Sequence, residues 1–456
     1  MTMTRVCVIG GGLAGMTAAR ALVAAGFDAQ VREASDHVGG VIGTNRVDGF
    51  LRETAASSFL GNAPHGAMAL CNELGVRVEA ASPRAKKRWI YIDHKLRALP
   101  SNPLALVRSD LLTWRGKLDL LREPLQPTRG EGDESIFSFA ARRFGPEVAR
   151  AVVAPFVTGI FAADAHDVSL EAGFPTLAGL DLDGGLVRGM LKRHATAVAT
   201  RVRALVGGPA PTPREKGPGR GLQAPVGGLG AMIAALETEL GPRVRKNAPV
   251  TRVAPAEGGV LVDGEKWDAC VLAIAAQDAR GLVADVPGLS SRLEPMRRSH
   301  AAIAYLGYPE ANVPGAVDGF GFLVAQGEEL RVLGVVFESV VWPDRAPAGH
   351  LLLRCIFGGS RDPDAQQLSD AEILEHAIRD VEAVLGARGT PVHASVVRWS
   401  HGLAQYPVGH KDHVRAAVTT ARSHHIVLAG ADYRGPGVND ICADAAVIVD
   451  EVRRCT

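Results

Sequence analysis

A chain of 456 residues, 47% of them hydrophobic, is long for one core and implies two or three packed domains. Fifty basic against forty-nine acidic residues leave a net charge of +1, which excludes the strongly basic surface of a nucleic-acid-binding protein. The six cysteines, Cys7, Cys71, Cys270, Cys355, Cys442 and Cys455, have no C-x-x-C or zinc spacing, and no apolar run has the length of a spanning helix. The expectation is free thiols in a reducing cytoplasm, with the chain soluble or peripheral on the inner face of the cell membrane.

At the N-terminus, Val6, Val8 and Ile9 read as a short buried strand, Gly10, Gly12 and Gly15 occupy the positions of a GxGxxG turn, and Met16 to Ala25 continues as an alanine-rich helix. The three glycines serve different ends, since Gly10 permits the turn, Gly12 lets backbone approach a pyrophosphate, and Gly15 lets helix pack on strand. Leu13 and Ala14 lie at the helix N-terminus, whose unpaired amides and positive dipole end favour phosphate. Phe27 to Arg32 supplies the next strand, and Glu33 stands where a carboxylate accepts hydrogen bonds from a ribose. A second small-residue turn, Gly39-Gly40, follows directly.

Further along, Leu104, Val107, Leu111, Trp114, Leu118, Leu121 and Leu125 recur at steps of three and four, with Arg108, Arg115, Lys117 and Arg122 on other faces. Two readings stay open: a core-facing helix, or two short ones with Ser109-Asp110 as an internal cap, and a membrane-interface surface. Helical material through 135–150 and 187–206 makes residues 98–206 a helical insert. The Pro/Gly-rich run 207–221 reads as a mobile linker between domains. Dinucleotide-type signals then return. Pro225 to Leu236 reads as a glycine turn into a helix, Ala248 to Val253, including Val250, as a strand, and Asp268 to Ile274 as a buried strand. The last return begins at Ile426 and passes Gly430, Gly437, Val438 and Asn439 into a helix through Glu451. His410 with His413, and the adjacent His424 and His425, lack carboxylate or thiol partners, so no metal site is expected. No hydrolase elbow or triphosphate loop is present.

Three blocks extend these signals. The turn after Glu33 resembles the extended fingerprint of FAD-dependent amine oxidases, carotenoid desaturases and protoporphyrinogen oxidases. Lys86 to Tyr91 with Leu96 to Ser101, and Thr158-Gly-Ile-Phe-Ala-Ala-Asp164, are similar to segments of the protoporphyrinogen and coproporphyrinogen oxidase family; so are Gly319 to Val324, Gly358 to Arg361, and Gln405 to His410. The resemblance runs over essentially the whole chain. It implies an α/β fold: a Rossmann-like FAD-binding domain in three segments (1–83, 222–292, 399–456) and an α+β substrate domain (84–206, 293–398) with a helical, membrane-facing insert.

The same resemblance implies FAD as cofactor, a porphyrinogen as substrate and dioxygen as acceptor, with three two-electron transfers giving the porphyrin and peroxide. A homodimer is among the assemblies it allows. It assigns Arg88 to a propionate of the substrate, whereas composition alone favours a solvated strand-end arginine in the basic run Arg84 to Arg88. Gly159 and Ala162 match positions beside the macrocycle, and Leu323, Val336 and Ile356 match apolar clamps on its other face. Departures accompany the match: Ala55 and Ala56 stand where glycine and a small residue or proline are usual, Ala431 replaces an asparagine, and Pro436 removes an amide. Two rival readings use the same scaffold, a flavin amine oxidase or carotenoid desaturase and a porphyrin-binding or FAD-binding relative without turnover.

Overall fold

Arg5–Ile9 is the central strand of a parallel sheet whose order is Val244–Arg245, Asp28–Arg32, Arg5–Ile9, Ala269–Leu272, Ile426–Leu428, so three distant stretches of sequence meet in it. The computed structural model describes residues 3–100, 102–128, 132–189, 219–315 and 317–456. The near-continuous apolar runs in these strands follow from burial on both faces. Val6, Val8 and Val31 pack with the helices Leu13–Ala24, Gly230–Leu240 and Val438–Cys455 on one side, while Cys7, Ile9 and Leu272 pack with Trp267, Leu293 and Ala417 on the other.

The expected strand over Ala248 to Val253 is a correction. Val244–Arg245 takes the place beside Asp28–Arg32, and only Val253–Ala256 is extended into a ladder, in a separate antiparallel sheet. The reason is local. The amides of Thr251 and Arg252 both donate to the Asp263 carboxylate, at 3.0 and 2.9 Å, so that backbone is committed to a side chain.

A seven-stranded mixed sheet forms the second layer, in the order His393–Ala404, Arg298–Pro309, His350–Gly358, Gly334–Phe337, Gly321–Val324, Trp89–Ile92, Lys95–Ala98. Leu306, Phe322, Phe337, Leu353 and Phe357 face the helix Asp370–Leu385, which buries Ile373, Ala377 and Val381 against them. Side chains alternate along a strand, so Ile303, Tyr305 and Leu352 turn to the opposite face, where they pack on Phe50 from the first layer. The strand His393–Ala404 lies wholly in this sheet. The expected domain boundary between 398 and 399 therefore falls inside a strand, and the crossing back to the parallel sheet comes after 404.

The helices of the insert gather around Ile136, Phe139, Val157 and Phe161. Arg143 is buried there with Asp181 and donates to the Gln126 carbonyl at 2.9 Å. The stripe over 104–125 is two short helices, Pro103–Arg108 and Trp114–Leu121. Thr113, not Ser109-Asp110, caps the second by accepting from Gly116 N. The core-facing alternative fails, because Trp114, Leu121 and Leu125 are 70%, 63% and 77% exposed. The expected helix over 187–206 and the linker 207–221 lie mostly outside the described residues.

Candidate active site

The glycine turn has the close contacts its spacing predicts. A Cβ on Gly15 would stand 1.9 Å from the Gly10 carbonyl oxygen, and Gly10 itself has φ +106°. Gly12 is different: a Cβ there meets nothing nearer than 3.9 Å, and no side chain caps the helix Leu13–Ala24 that it begins. The amides of that first turn are thus left for a ligand, with the dipole's positive end behind them. Gly39 N donates to Gly11 O at 2.8 Å, and Gly40 lies directly against Gly12, so the second small-residue turn forms the other wall.

Glu33 accepts from Gly11 N at 2.6 Å and from Ser35 N at 2.8 Å, which orients its half-buried carboxylate at the strand end. A Cβ on Gly11 would come within 3.0 Å of that carboxylate. Gly11 lines the cradle although spacing rules do not single it out; the signal was the unbroken run of three glycines. Asn247 and Ala248 donate to the Ser35 and Glu33 carbonyls, which brings the half-buried Val250 alongside. At the third turn, Gly430 has φ +108° and lies close to Ala14, so the first and last glycine turns adjoin. Gly437 N donates to Asp440, and Val438 is buried in the core. Asn439 is committed to backbone, donating to Leu60 O at 2.8 Å and accepting from Ala67 N at 2.9 Å. The open Gly12, the uncapped helix terminus and the oriented Glu33 fit a flavin dinucleotide.

From this cradle the chain runs through 41–44 and returns along Phe50–Glu53 into a short irregular segment, 54–57. Thr54 N donates to Gly43 O at 2.8 Å and Thr54 Oγ1 to Val41 O at 2.7 Å, so the segment abuts the dinucleotide loop. Glu53 is fully buried. Its carboxylate accepts from Leu229 N at 2.9 Å, from Thr44 Oγ1 at 2.5 Å and from Arg345 at 3.2 Å, and Arg345 also pairs with buried Glu338. Burial raises the Glu53 carboxyl above its ordinary range while Arg345 pulls it back. Sequence reading missed this hub, since two of its partners, Leu229 and Arg345, lie 176 and 292 residues away.

The expected substrate residues fall into three situations. Leu323 and Ile356 flank Gly334 across neighbouring strands, and Val336 follows two residues on, so the three half-exposed side chains form one aliphatic patch on the face turned toward the first layer. Gly159 is exposed on the helix Ala154–Phe161, which begins directly after a π-helical turn, Ala149–Val153. A Cβ on Gly159 would stand 2.5 Å from Leu323, so the two extend one wall instead of facing each other across a gap. Ala162 ends the same helix in a left-handed conformation, φ +47°, and is buried with its carbonyl bonded to Ser360 N at 2.8 Å. Arg88 is exposed just before the strand Trp89–Ile92, its guanidinium 5.4 Å from the ring centroid of Phe320, and Phe320 and Val336 both pack against the cluster of Ala85, Ala224, Val341 and Trp342. No ion pair holds Arg88 among the described residues. A cavity of about 190 Å³ lies beside the helix Ala154–Phe161, lined by Thr158, Asp164, Gln326, Ser360 and Arg361 among others.

Among the described residues no group of three His, Cys, Asp or Glu could hold a metal. His410 is buried, its ring tilted against that of Tyr406 with centroids 4.6 Å apart, and bonded to the Asp432 carbonyl at 3.0 Å.

Known proteins match this arrangement along its whole length. The profile of flavin containing amine oxidoreductases matches residues 13–445. Coproporphyrinogen III oxidase of Bacillus subtilis is 26% identical, over 96% of this chain and 95% of its own. Protoporphyrinogen oxidase of Macaca fascicularis is 31% identical, over 95% of each. A crystal structure from Exiguobacterium sp. 255-15, provisionally named a protoporphyrinogen oxidase, superposes with a TM-score of 0.81 at 22% identity and covers 99% of both chains. With the glycine cradle and the oriented Glu33 in place, the chain belongs to the flavin containing amine oxidoreductase family and is an FAD-dependent oxidase.

Proposed function

We propose that this oxidase converts a porphyrinogen, protoporphyrinogen IX or coproporphyrinogen III, into the corresponding porphyrin, in three two-electron steps that each reduce one dioxygen to hydrogen peroxide. The observation that carries the reading is the aliphatic patch of Leu323, Val336 and Ile356, continued by Gly159 and rimmed by Arg88. An uncharged macrocycle with acidic arms needs an apolar wall and a cation at its mouth. Bound FAD supplies the hydride acceptor for a meso C–H of the substrate. The protein's own residues provide position: the patch orients the ring, Arg88 pairs with a propionate, and the lack of a side chain at Gly159 lets Leu323 close against the helix so that the wall is continuous. An amine substrate would call for an aromatic cage. Here the wall is aliphatic, and Trp399 and Tyr406 donate their polar hydrogens to the backbone at Thr54 and Ala431.

In this reading residues 1–83, 222–292 and 405–456 form the FAD-binding unit. Leu104, Trp114, Leu121 and Leu125, exposed among Arg115, Lys117 and Arg122, form a face that lies on an anionic membrane surface. No described helix is long and apolar enough to cross a membrane.

The deciding experiment is the visible spectrum of the FAD-loaded protein during anaerobic mixing with each porphyrinogen. Bleaching of the flavin band together with the rise of porphyrin absorption is expected, and the faster substrate identifies the preference. A flavin that stays oxidised with both substrates overturns the proposal.

A further inference from the structure

The backbone of 53–57 is held by the second layer at almost every carbonyl. Tyr305 Oη donates to Glu53 O at 2.7 Å, Trp399 Nε1 to Thr54 O at 2.8 Å, Arg354 Nη2 to Ala55 O, and Arg345 Nη2 to Ser57 O at 3.0 Å. On its other flank the same segment is bonded to the loop 41–44 of the dinucleotide cradle. It is therefore the strap between the cradle and the aliphatic patch, and a flavin ring that reached from one to the other would pass along it.

Arg354 stands out among the four donors. It is 9% exposed, pairs in register with Val336 and Tyr305, and precedes Ile356 by two residues on the same strand face, so it borders the patch directly. Its Nε has no hydrogen-bond partner, and no carboxylate pairs with it among the described residues. A buried, always-charged guanidinium without a counterion at contact is costly unless charge nearby balances it. The balance is found one step away: Glu53 and Glu338 share the single guanidinium of Arg345. The four charges sum to zero, but the negative excess lies around Arg345 and the positive end lies at Ala55.

We propose that Arg354 is a positioning residue of the oxidase: it fixes the strap through the Ala55 carbonyl and sets a permanent positive charge beside the flavin ring, favouring the reduced, negatively charged cofactor. The inference rests on the proposed course of the ring from cradle to patch, and it deepens that reading by naming what tunes the acceptor. Replacing the usual glycine by Ala55 narrows the strap's conformational freedom, and the Arg354 hydrogen bond restrains it further.

The test is the midpoint potential of the bound flavin, measured by anaerobic reductive titration of the FAD-loaded wild type, R354M, R354K and W399F. R354M is expected to weaken the reduction equilibrium about tenfold, which is about 30 mV for a two-electron couple. R354K should restore most of the shift, and W399F, which removes a strap bond but no charge, should change the equilibrium by less than about threefold. Slower flavin reduction with a porphyrinogen KM within about threefold of wild type should accompany R354M. An unchanged potential in R354M overturns the proposal. So does a shift of the same size in W399F, or a KM rise at unchanged potential, which would make Arg354 a substrate ligand. If R354M does not fold with FAD, R354K and W399F decide, and an R354K reduction equilibrium that falls about tenfold, or a W399F shift as large, overturns the charge assignment. The titration uses no porphyrinogen, so a wild type that oxidises none would sink the proposed function and leave this result standing.

Discussion

Arg88 has no carboxylate partner among the described residues and only the ring of Phe320 near its guanidinium, so its removal should scarcely disturb the fold. A charge-assisted pair with a propionate contributes about 1.5–3 kcal/mol, mostly to binding. Arg88→Ala is therefore expected to raise the porphyrinogen KM by about ten- to a hundredfold with a smaller effect on kcat and an unchanged unfolding temperature. Steady-state kinetics with both porphyrinogens check this, and an unaltered KM would return Arg88 to the role of a solvated strand-end residue. At this scale legibility followed locality. Gly10, Gly12, Gly15 and Glu33 could be read because the turn and the ribose acid lie within one β-α-β stretch, where spacing fixes geometry. Arg354, Arg345 and Tyr305 could not, because each serves a segment some 250 to 300 residues away. Asn439 shows the converse: it lies in a glycine-turn motif, yet its side chain is committed to Leu60 and Ala67.

Elements reveal a different limit. Period identifies a helix's apolar stripe but not what covers it. Over 104–125 the spacing was helical, and the structure breaks it at 109–113, where Ser109 closes one short helix and Thr113 opens the next. The stripe then faces outward, with Trp114, Leu121 and Leu125 exposed side by side with cations, while Leu111 and Leu112 anchor the connection. Exposed apolar residues of this size cost little to replace, within about 0.5 kcal/mol each at surface positions. The triple variant W114E/L121E/L125E should keep its unfolding temperature and its FAD but lose flotation with anionic vesicles. Retained flotation would assign the face to something other than a lipid surface. The strand expected at 248–253 but absent there has a similar origin. Its alternation suits a ladder, but Asp263 captures the amides first, and a side-chain competitor is invisible to a period count.

Over the whole molecule, the parallel sheet draws on residues near 5–32, 244–272 and 426–428, and the recurrence of glycine turns made that assembly readable before any contact was known. Buried charges outside those turns were not readable, and they give stability a pH dependence. Asp444, on the helix Val438–Cys455, lies 3.4 Å from Arg434 Nε, but its Oδ2 has no hydrogen-bond partner, and Glu451 adds a second negative charge. Burial, partly offset by Arg434, pushes its carboxyl up to about 6 from 3.8. A group with a raised folded pKa lets the native state hold the proton after the unfolded chain has lost it. Its contribution is full below 3.8 and is lost as pH rises through about 6, a loss of about 1–3 kcal/mol. Glu53, also raised by burial, acts in the same direction. His410, lowered by burial, opposes both, since its neutral buried form is favoured as pH rises. Wild-type stability alone therefore mixes these with other shifted carboxyls, such as Glu79, raised by burial, and Asp263, where the opposing effect of burial is outweighed by bonds to Thr251 and Arg252 that lower it, and the informative quantity is the difference from Asp444→Asn. That variant keeps the size of the side chain and abolishes its titration, so it should gain stability over wild type at pH 8 and lose the advantage near pH 4.5. Thermal unfolding of both FAD-loaded proteins across that range measures it. A difference that does not vary with pH would mean that Arg434 and solvent already hold Asp444 ionised in the folded chain.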